Sequence, residues 1–410
     1  MNWQKTRLGN IITTKKGFAF KSAKYVDSGV PIVRVSDFTS DSISEGDLKY
    51  YPKEEAQNYL DYELHYKDII IQTVGSWPNN PASVVGKVVR VPYILDKSLL
   101  NQNAVKIVPK NNIDNDFLYY RLKSRDFDGH VIGQARGAAN QASITLETIR
   151  SFKMSIPDYS EQIRLGKILT QYDDLIANNN KRIKILEQMA ENLYKEWFVR
   201  FRFPGYETAE FVDGVPKGWD VYRLDEICDI NKHSMKKSDK IDKIQYLDTG
   251  SLTENSITNL EDYYRSNAPS RAKRKVKKNS ILFSTVRPAL KHYGILKKVP
   301  ENMIVSTGFA VLDSKYDIAN IIYMYLSSDV VLSYCQMIAE GAVATYPTIK
   351  PEEIGKIKIV LPPIETAADW NEKLEVFFSM QLKLIEQNQN LIKQRDYLLS
   401  RLMSGKLQVK

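Results

Sequence analysis

The chain is written twice, and this repetition limits its fold more than any other feature. Trp3, Arg7, Leu8 and Ile11 recur at the same spacing as Trp219, Arg223, Leu224 and Ile227. The run 67–74 (KDIIIQTV) has a counterpart at 279–286 (NSILFSTV), and Ile144, Ile149 and Pro157 match Ile349, Ile354 and Pro362. The offset drifts from 216 through 212 to 205, as it does when loops change length on a shared framework. Solenoid units run to about 20 to 50 residues, so a repeat this long means two similar domains related by pseudo-two-fold symmetry.

Each copy has two parts. The first holds short β-branched and aromatic runs broken by Gly, Pro, Asn and Asp: 31–35, 69–74, 84–91, 104–108, 280–286 and 357–361. These read as strands of a mixed sheet, with short helices at 117–124 and 321–327. The second part is a long helix. From 163 to 200 there is one glycine and no proline, and from 364 to 403 neither. Asp158 with Glu161, and Thr366 with Asp369, stand at capping-box spacing.

Both helices carry a 4-3 seam. The first runs through Leu165, Leu169, Tyr172, Ile176, Asn179, Ile183, Leu186, Ala190, Leu193 and Trp197. The second runs through Trp370, Leu374, Phe377, Gln381, Leu384, Asn388, Leu391, Arg395, Leu398 and Leu402. So narrow an apolar stripe predicts a coiled-coil seam. Antiparallel pairing would set Trp197 against Trp370, Ala190 against Phe377, and Asn179 against Asn388, a polar pair able to fix register. The alternative is that both asparagines face water. Between the copies, 204–218 holds two prolines and three glycines and reads as a linker.

A formal net charge of +9 favours a polyanionic partner, nucleic acid or acidic membrane. Insertion into a membrane is not expected, because no uncharged apolar run approaches about 20 residues. Nor does the start, Met1-Asn2-Trp3-Gln4, have the layout of a secretory signal. Cys228 and Cys335 lie far apart without metal-ligand spacing, so a cytoplasmic protein with free thiols is expected.

Catalytic signatures are missing. There is no G-x-x-x-x-G-K-[ST] loop, no glycine-rich turn for a dinucleotide or S-adenosylmethionine, and no Asn- or Asp-Pro-Pro-aromatic tetrapeptide for gripping a flipped base. His65, His130, His233 and His292 are scattered, with no metal-ligand spacing. The expectation is a binding protein with no catalytic residue, no metal and no cofactor of its own.

The densest basic cluster is Arg271, Lys273, Arg274, Lys275, Lys277 and Lys278. It would neutralise phosphates, or it is a solvated strand edge protected by lysines. Thr285 and Arg287 follow at a strand end, then Lys291 and His292, placed to meet a groove. The matching loop of the first copy holds Gln72, Thr73, Ser76, Trp77, Asn79 and Asn80. Its amides suit adenine and its indole suits wedging, although Gly-Ser and Pro-Asn-Asn are also ordinary turn chemistry. A second polar loop in each copy offers Arg136, Asn140 and Gln141, opposite Thr345 and Tyr346.

Three stretches then resemble one family. They are 190–205 (AENLYKEWFVRFRFPG), 216–227 (PKGWDVYRLDEI) and 269–288 (PSRAKRKVKKNSILFSTVRP), with the terminal 403–407 (MSGKL) also similar. Together they resemble the specificity subunit of type I restriction-modification enzymes, over essentially the whole chain. The resemblance implies an α+β protein in which two pseudo-symmetric mixed α/β target recognition domains are separated by two long helices forming an antiparallel coiled coil. The expected boundaries are 1–157 for the first recognition domain, 158–203 for the central helix, 204–218 for the linker, 219–362 for the second recognition domain, and 363–410 for the distal helix and tail.

The resemblance further implies that each recognition domain reads half of a split, asymmetric site in double-stranded DNA, and that the helices dock two modification subunits. Those would bring S-adenosylmethionine and methylate adenine N6, while restriction subunits would add ATP- and Mg-dependent translocation and cutting. About 38 helical residues at 1.5 Å each give roughly 57 Å, an upper limit on half-site separation. Outer-face residues such as Lys181, Arg182, Lys184, Glu187 and Glu191 either bind the modification subunits or are solvated. Three other readings stay open: a complete methyltransferase or nuclease with disguised motifs, a coiled-coil adaptor that no longer reads DNA, and a specificity protein of another methylation-based defence system.

Overall fold

The computed structural model describes residues 3–39, 42–78, 84–138, 141–236, 238–342 and 347–407. They form two compact units, Met1–Ala177 with Asn388–Lys410, and Asn178–Gln387. The two long helices are therefore shared out. Unit 1 takes the start of the central helix and the end of the distal helix, and unit 2 takes the rest of both.

In unit 1 an antiparallel sheet runs in the order Ile12–Lys16, Ala104–Pro109, Ile69–Gln72, Val88–Arg90. All four residues of Ile69–Gln72 are buried, as a central strand covered on both faces requires. Beside it lies a mixed sheet, Lys49–Tyr51, Val30–Val33, Leu99–Leu100, whose last pair is parallel. Helices Asn115–Leu122 and Arg125–Gln134 pack Phe117, Leu118, Leu122, Phe127 and Val131 onto the first sheet.

Unit 2 repeats this plan. Its main sheet runs Cys228–Ile230, Phe309–Ser314, Ile281–Ser284, Tyr293–Ile295, the same order as in unit 1. Its mixed sheet is Glu261–Tyr264, Lys243–Leu247, Met303–Ser306, with the parallel pair in the corresponding place. One edge strand is added, Ala272–Lys275. In unit 1 the chain at that point makes the helical turns Lys53–Ala56 and Gln57–Tyr62 instead. The repeat seen in sequence is thus a repeat of strand order.

Local chemistry explains most element ends. The central helix, Tyr159–Tyr194, starts where Asp158 Oδ1 accepts the Glu161 amide at 2.9 Å. Its end widens into the π-turn Lys195–Val199, and Phe201 then takes a left-handed φ of +54°. The distal helix, Ile364–Leu402, begins earlier than the Thr366 cap expected from sequence, so Thr366 lies inside its first turn. It closes at Gly405 (φ +70°), where the Leu407 amide donates back to the Arg401 carbonyl. Trp3 and Leu407 pack against the same core there. The expected strand 84–91 shortens to Val88–Arg90, because Gly86 (φ +83°) turns the chain and donates to the Gln72 carbonyl.

All twenty seam positions are buried or half-buried, as a helix pair demands. In unit 2 the Trp197 and Trp370 rings meet at 5.2 Å. In unit 1 Arg395 meets Asp173 at 2.7 Å. Both pairs fall within one residue of the antiparallel register expected. Asn179 and Asn388 are both buried, and Asn179 Nδ2 donates to Gln387 Oε1 at 3.2 Å. The linker holds a small hairpin, Phe211–Val212 with Val215–Pro216, turning through left-handed Asp213 and Gly214.

No single helix among the described residues is long and apolar enough to cross a membrane. The apolar pair Ala319–Leu326 and Asp329–Gly341 is bent by 62°. Ile321, Ile322, Leu332 and Cys335 of that pair are buried in the unit 2 core.

Candidate nucleic-acid interface

The two loops singled out in sequence stand on one recurring framework. In unit 1 the Thr73 amide and hydroxyl both donate to the Asn103 carbonyl, at 2.8 and 2.9 Å, and the Thr73 carbonyl accepts the Ile144 amide at 2.9 Å. In unit 2 Thr285 makes the same bonds: amide and hydroxyl to the Gly308 carbonyl at 2.8 and 2.9 Å, and carbonyl to the Ile349 amide at 2.9 Å. A threonine at a strand end thus clamps two other chain segments in each copy. Loops mounted this way have a fixed base and a variable tip.

In unit 1 the clamp joins the two candidate loops into one surface. Val74–Gly75 pairs with Gln141–Ser143, which pairs with Arg136–Ala138, a three-stranded sheet that sequence did not foresee. Arg136 and Gln141 are exposed on it. Trp77 is half-buried against the core and donates from Nε1 to the Ala138 carbonyl at 3.1 Å. Gln72 and Ser76 are buried, and the Gln72 amide donates to the Val74 carbonyl at 2.9 Å. Thr73 is the clamp itself. Here Gln72, Thr73 and Ser76 belong to the support of the loop, and Arg136 and Gln141 to its surface. Asn79, Asn80, Asn140, Thr345 and Tyr346 lie outside the described residues.

In unit 2 the basic cluster forms the added edge strand and its flanks. The Arg271 carbonyl accepts the Thr307 amide at 2.9 Å, next to the Gly308 carbonyl that holds Thr285. One short turn therefore brings the start of the basic cluster beside the Thr285–Arg287 loop. Arg271, Lys273, Lys277 and Lys278 are exposed. Arg274 and Lys275 are half-buried and turned inward: Arg274 Nη1 reaches the Ser234 hydroxyl at 3.3 Å, and Lys275 pairs with Asp239 at 2.8 Å. The six cations thus split into four exposed and two held by neighbours, the register shift between Ala272 and Arg274 interrupting the strand's alternation.

Arg287 is exposed with a left-handed φ of +46°, held by its amide donating to the Pro347 carbonyl at 3.0 Å. A non-glycine residue in that region costs roughly 1 to 2 kcal/mol, so the surrounding bonds impose this pose. Lys291 pairs with Glu254 at 3.0 Å, and that contact raises its pKa. His292 Nδ1 sits 2.7 Å from the Leu252 carbonyl and 3.0 Å from the Thr253 hydroxyl. The contacts of His292 and Lys291 thus tie the loop to the hairpin Leu252–Thr253 with Ser256–Ile257.

Sequence reading missed the turns that carry the clamps, 101–103 and 306–308. Their signal was present: Asn101-Gln102-Asn103 and Ser306-Thr307-Gly308 each interrupt two apolar runs with small or polar residues, at matching places in the repeat. Among the described residues no cluster of His, Cys, Asp and Glu is arranged to hold a metal.

The family model for the type I restriction modification DNA specificity domain matches residues 1–188 and again 216–394. The type I restriction enzyme MjaIX specificity subunit of Methanocaldococcus jannaschii is 26% identical over 320 residues, 75% of this chain and 73% of the relative. The MjaVIII specificity subunit of the same organism is 25% identical over 430 residues, covering 100% of this chain and 94% of the relative. The crystal structure of a type I restriction-modification system S subunit from M. genitalium superposes with a TM-score of 0.56 at 13% identity, over 100% of this chain and 97% of that one. Each specificity match coincides with one copy of the repeat, and the chain belongs to the type I restriction-modification DNA specificity family, carrying its specificity domain twice.

Proposed function

We propose that the chain reads a two-part, asymmetric DNA sequence, one part with each specificity domain, as the non-catalytic specificity subunit of a cytoplasmic type I restriction-modification complex. The observation that carries this reading is the pair of matched clamps, Thr73 on Asn103 and Thr285 on Gly308, beneath surfaces of different chemistry. Identical supports with different tips are what two readers of different half-sites need. Arg136 and Gln141 in the first domain, and Arg271, Lys273, Lys277, Lys278 and Arg287 in the second, are the proposed contacts. Their charge serves phosphates and their planar groups serve base edges.

In this reading the long helices hold the half-sites apart and dock two modification subunits, with Asn179 and Asn388 fixing the register. S-adenosylmethionine is a cofactor of those subunits, and ATP and Mg serve the restriction subunits. Base-resolved methylation mapping of host DNA with and without the gene tests the reading. A split motif, methylated on adenine in both parts, disappears on deletion. If every methylated motif survives, the reading fails.

A further inference from the structure

The two seams correspond in order, so Ala190 of the central helix stands where Arg395 stands on the distal helix. By the same repeat Phe378 answers to Asp173 and Tyr323 to Tyr119, and the strand registers set Ile295 opposite Ile281 as Arg90 lies opposite Ile69. In unit 1 this place is full. Arg395 Nη1 donates to Asp173 at 2.7 Å, Arg90 Nη2 donates to the same carboxylate at 3.0 Å, and the Arg90 guanidinium lies 4.2 Å over the Tyr119 ring. In unit 2 the arginines and the aspartate are gone, and a cleft of about 830 Å³ opens beside Ala190 and Phe378.

The lining of that cleft is polar in a way the fold does not use. Tyr194, Tyr293 and Tyr323 are buried along it, yet among the described residues no hydrogen bond engages their hydroxyls. Gln381, only 4% exposed, lines it as well, and among the described residues its Nε2 has no partner. Of the cations that line it, Lys291 is spent on Glu254, Lys195 on Glu191 and Arg200 on Glu196, while the exposed Lys358 has no ion pair among the described residues. Glu187 and Asp329 also line the cleft, and among the described residues neither carboxylate has an ion pair.

Aromatic walls with uncommitted carboxylates are the surroundings a guanidinium binds. The unsatisfied amide of Gln381 needs an acceptor, which the backbone carbonyl of an entering peptide supplies. We propose that the unit 2 cleft receives an arginine side chain presented by a partner protein, in the place that Arg395 fills from within the chain in unit 1. This inference is independent of DNA reading.

Calorimetric titration of the full chain with an acetylated, amidated glycyl-arginyl-glycine peptide, and with its uncharged citrulline counterpart, tests it. Saturable binding of the arginyl peptide is expected, with the citrulline peptide weaker by about tenfold or more. Ala190→Arg supplies the guanidinium internally and is expected to abolish binding, with circular dichroism reporting an intact fold. The double substitution Glu187→Gln with Asp329→Asn leaves the core untouched and is expected to weaken binding by about tenfold, and it alone decides the matter if Ala190→Arg does not fold. Absence of saturable binding, equal binding of both peptides, or binding indifferent to the substitutions overturns the proposal.

Discussion

Arg395, near the end of the distal helix, donates from Nη1 to Oδ1 of Asp173 on the central helix at 2.7 Å. Asp173 is the hub of a wider network, since its Oδ2 accepts from Arg90 at 3.0 Å and from the Tyr120 hydroxyl at 2.5 Å, and Arg90 also pairs with Asp116 at 2.7 Å. Arg395 is almost fully buried, and its guanidinium is held by Asp173 and, at 2.9 Å, by Asp396. Asp173→Ala is expected to destabilise unit 1 by about 3 kcal/mol, because two arginines would be left without their shared carboxylate. Urea unfolding of the full chain measures this. A loss under about 0.5 kcal/mol would place the pair among surface ion pairs of little worth.

The single glycine of the central helix marks a close approach. A Cβ on Gly166 would come within 2.7 Å of Asp114 Oδ1 and 2.8 Å of the Phe117 amide, the bond that caps helix Asn115–Leu122. In unit 2 the corresponding helix, Ala319–Leu326, has no cap of its own, and Asn371 of the distal helix supplies one, accepting the Asn320 amide at 2.9 Å. Gly166→Ala is expected to cost about 1 to 3 kcal/mol through this clash, and Asn371→Ala about 1 kcal/mol through removal of the cap. Thermal melts check both, and neutral results would mean that neither helix start depends on these groups.

Both thiols are buried, and burial pushes Cys228 and Cys335 up to about 12 from an ordinary 9. Between those values the unfolded chain ionises its thiols while the folded chain keeps its protons. Stability therefore falls as pH rises through that window. A thiol reagent at pH 8 is expected to label neither cysteine until denaturant is added. Rapid labelling of the native chain would contradict this packing.

The six cations of the basic cluster should behave as two groups. Replacing Lys273, Lys277 and Lys278 by alanine is expected to weaken DNA binding and lower the salt slope by about one for each phosphate no longer neutralised, with no effect on melting. Lys275→Ala, whose side chain is held by Asp239 at 2.8 Å, is expected to affect the slope less. A salt series with the full chain or its complex distinguishes them.

The two-fold repeat, the helix pair and its register were legible in sequence because repetition and 4-3 spacing survive divergence: Trp197 against Trp370 is a consequence of spacing alone. The charged seam position was not legible, since Arg395 breaks the apolar pattern and its partner Asp173, which Arg90 shares, lies 222 residues away in the chain. Nor was the split within the basic cluster, because a run of like charges does not reveal which members a strand turns inward. Gln72 and Ser76 read as surface amide and hydroxyl but support the loop instead, since polar groups at a buried strand end satisfy backbone as often as they meet ligand.

The central claim is that one chain carries two independent readers. Its most direct measurement is methylation mapping after the second specificity domain, 219–362, is exchanged for that of a relative with a different target. Two independent readers predict that only one part of the methylated motif changes, while the other part and the adenine within it stay as they were. A change in both parts, or in neither, would contradict it.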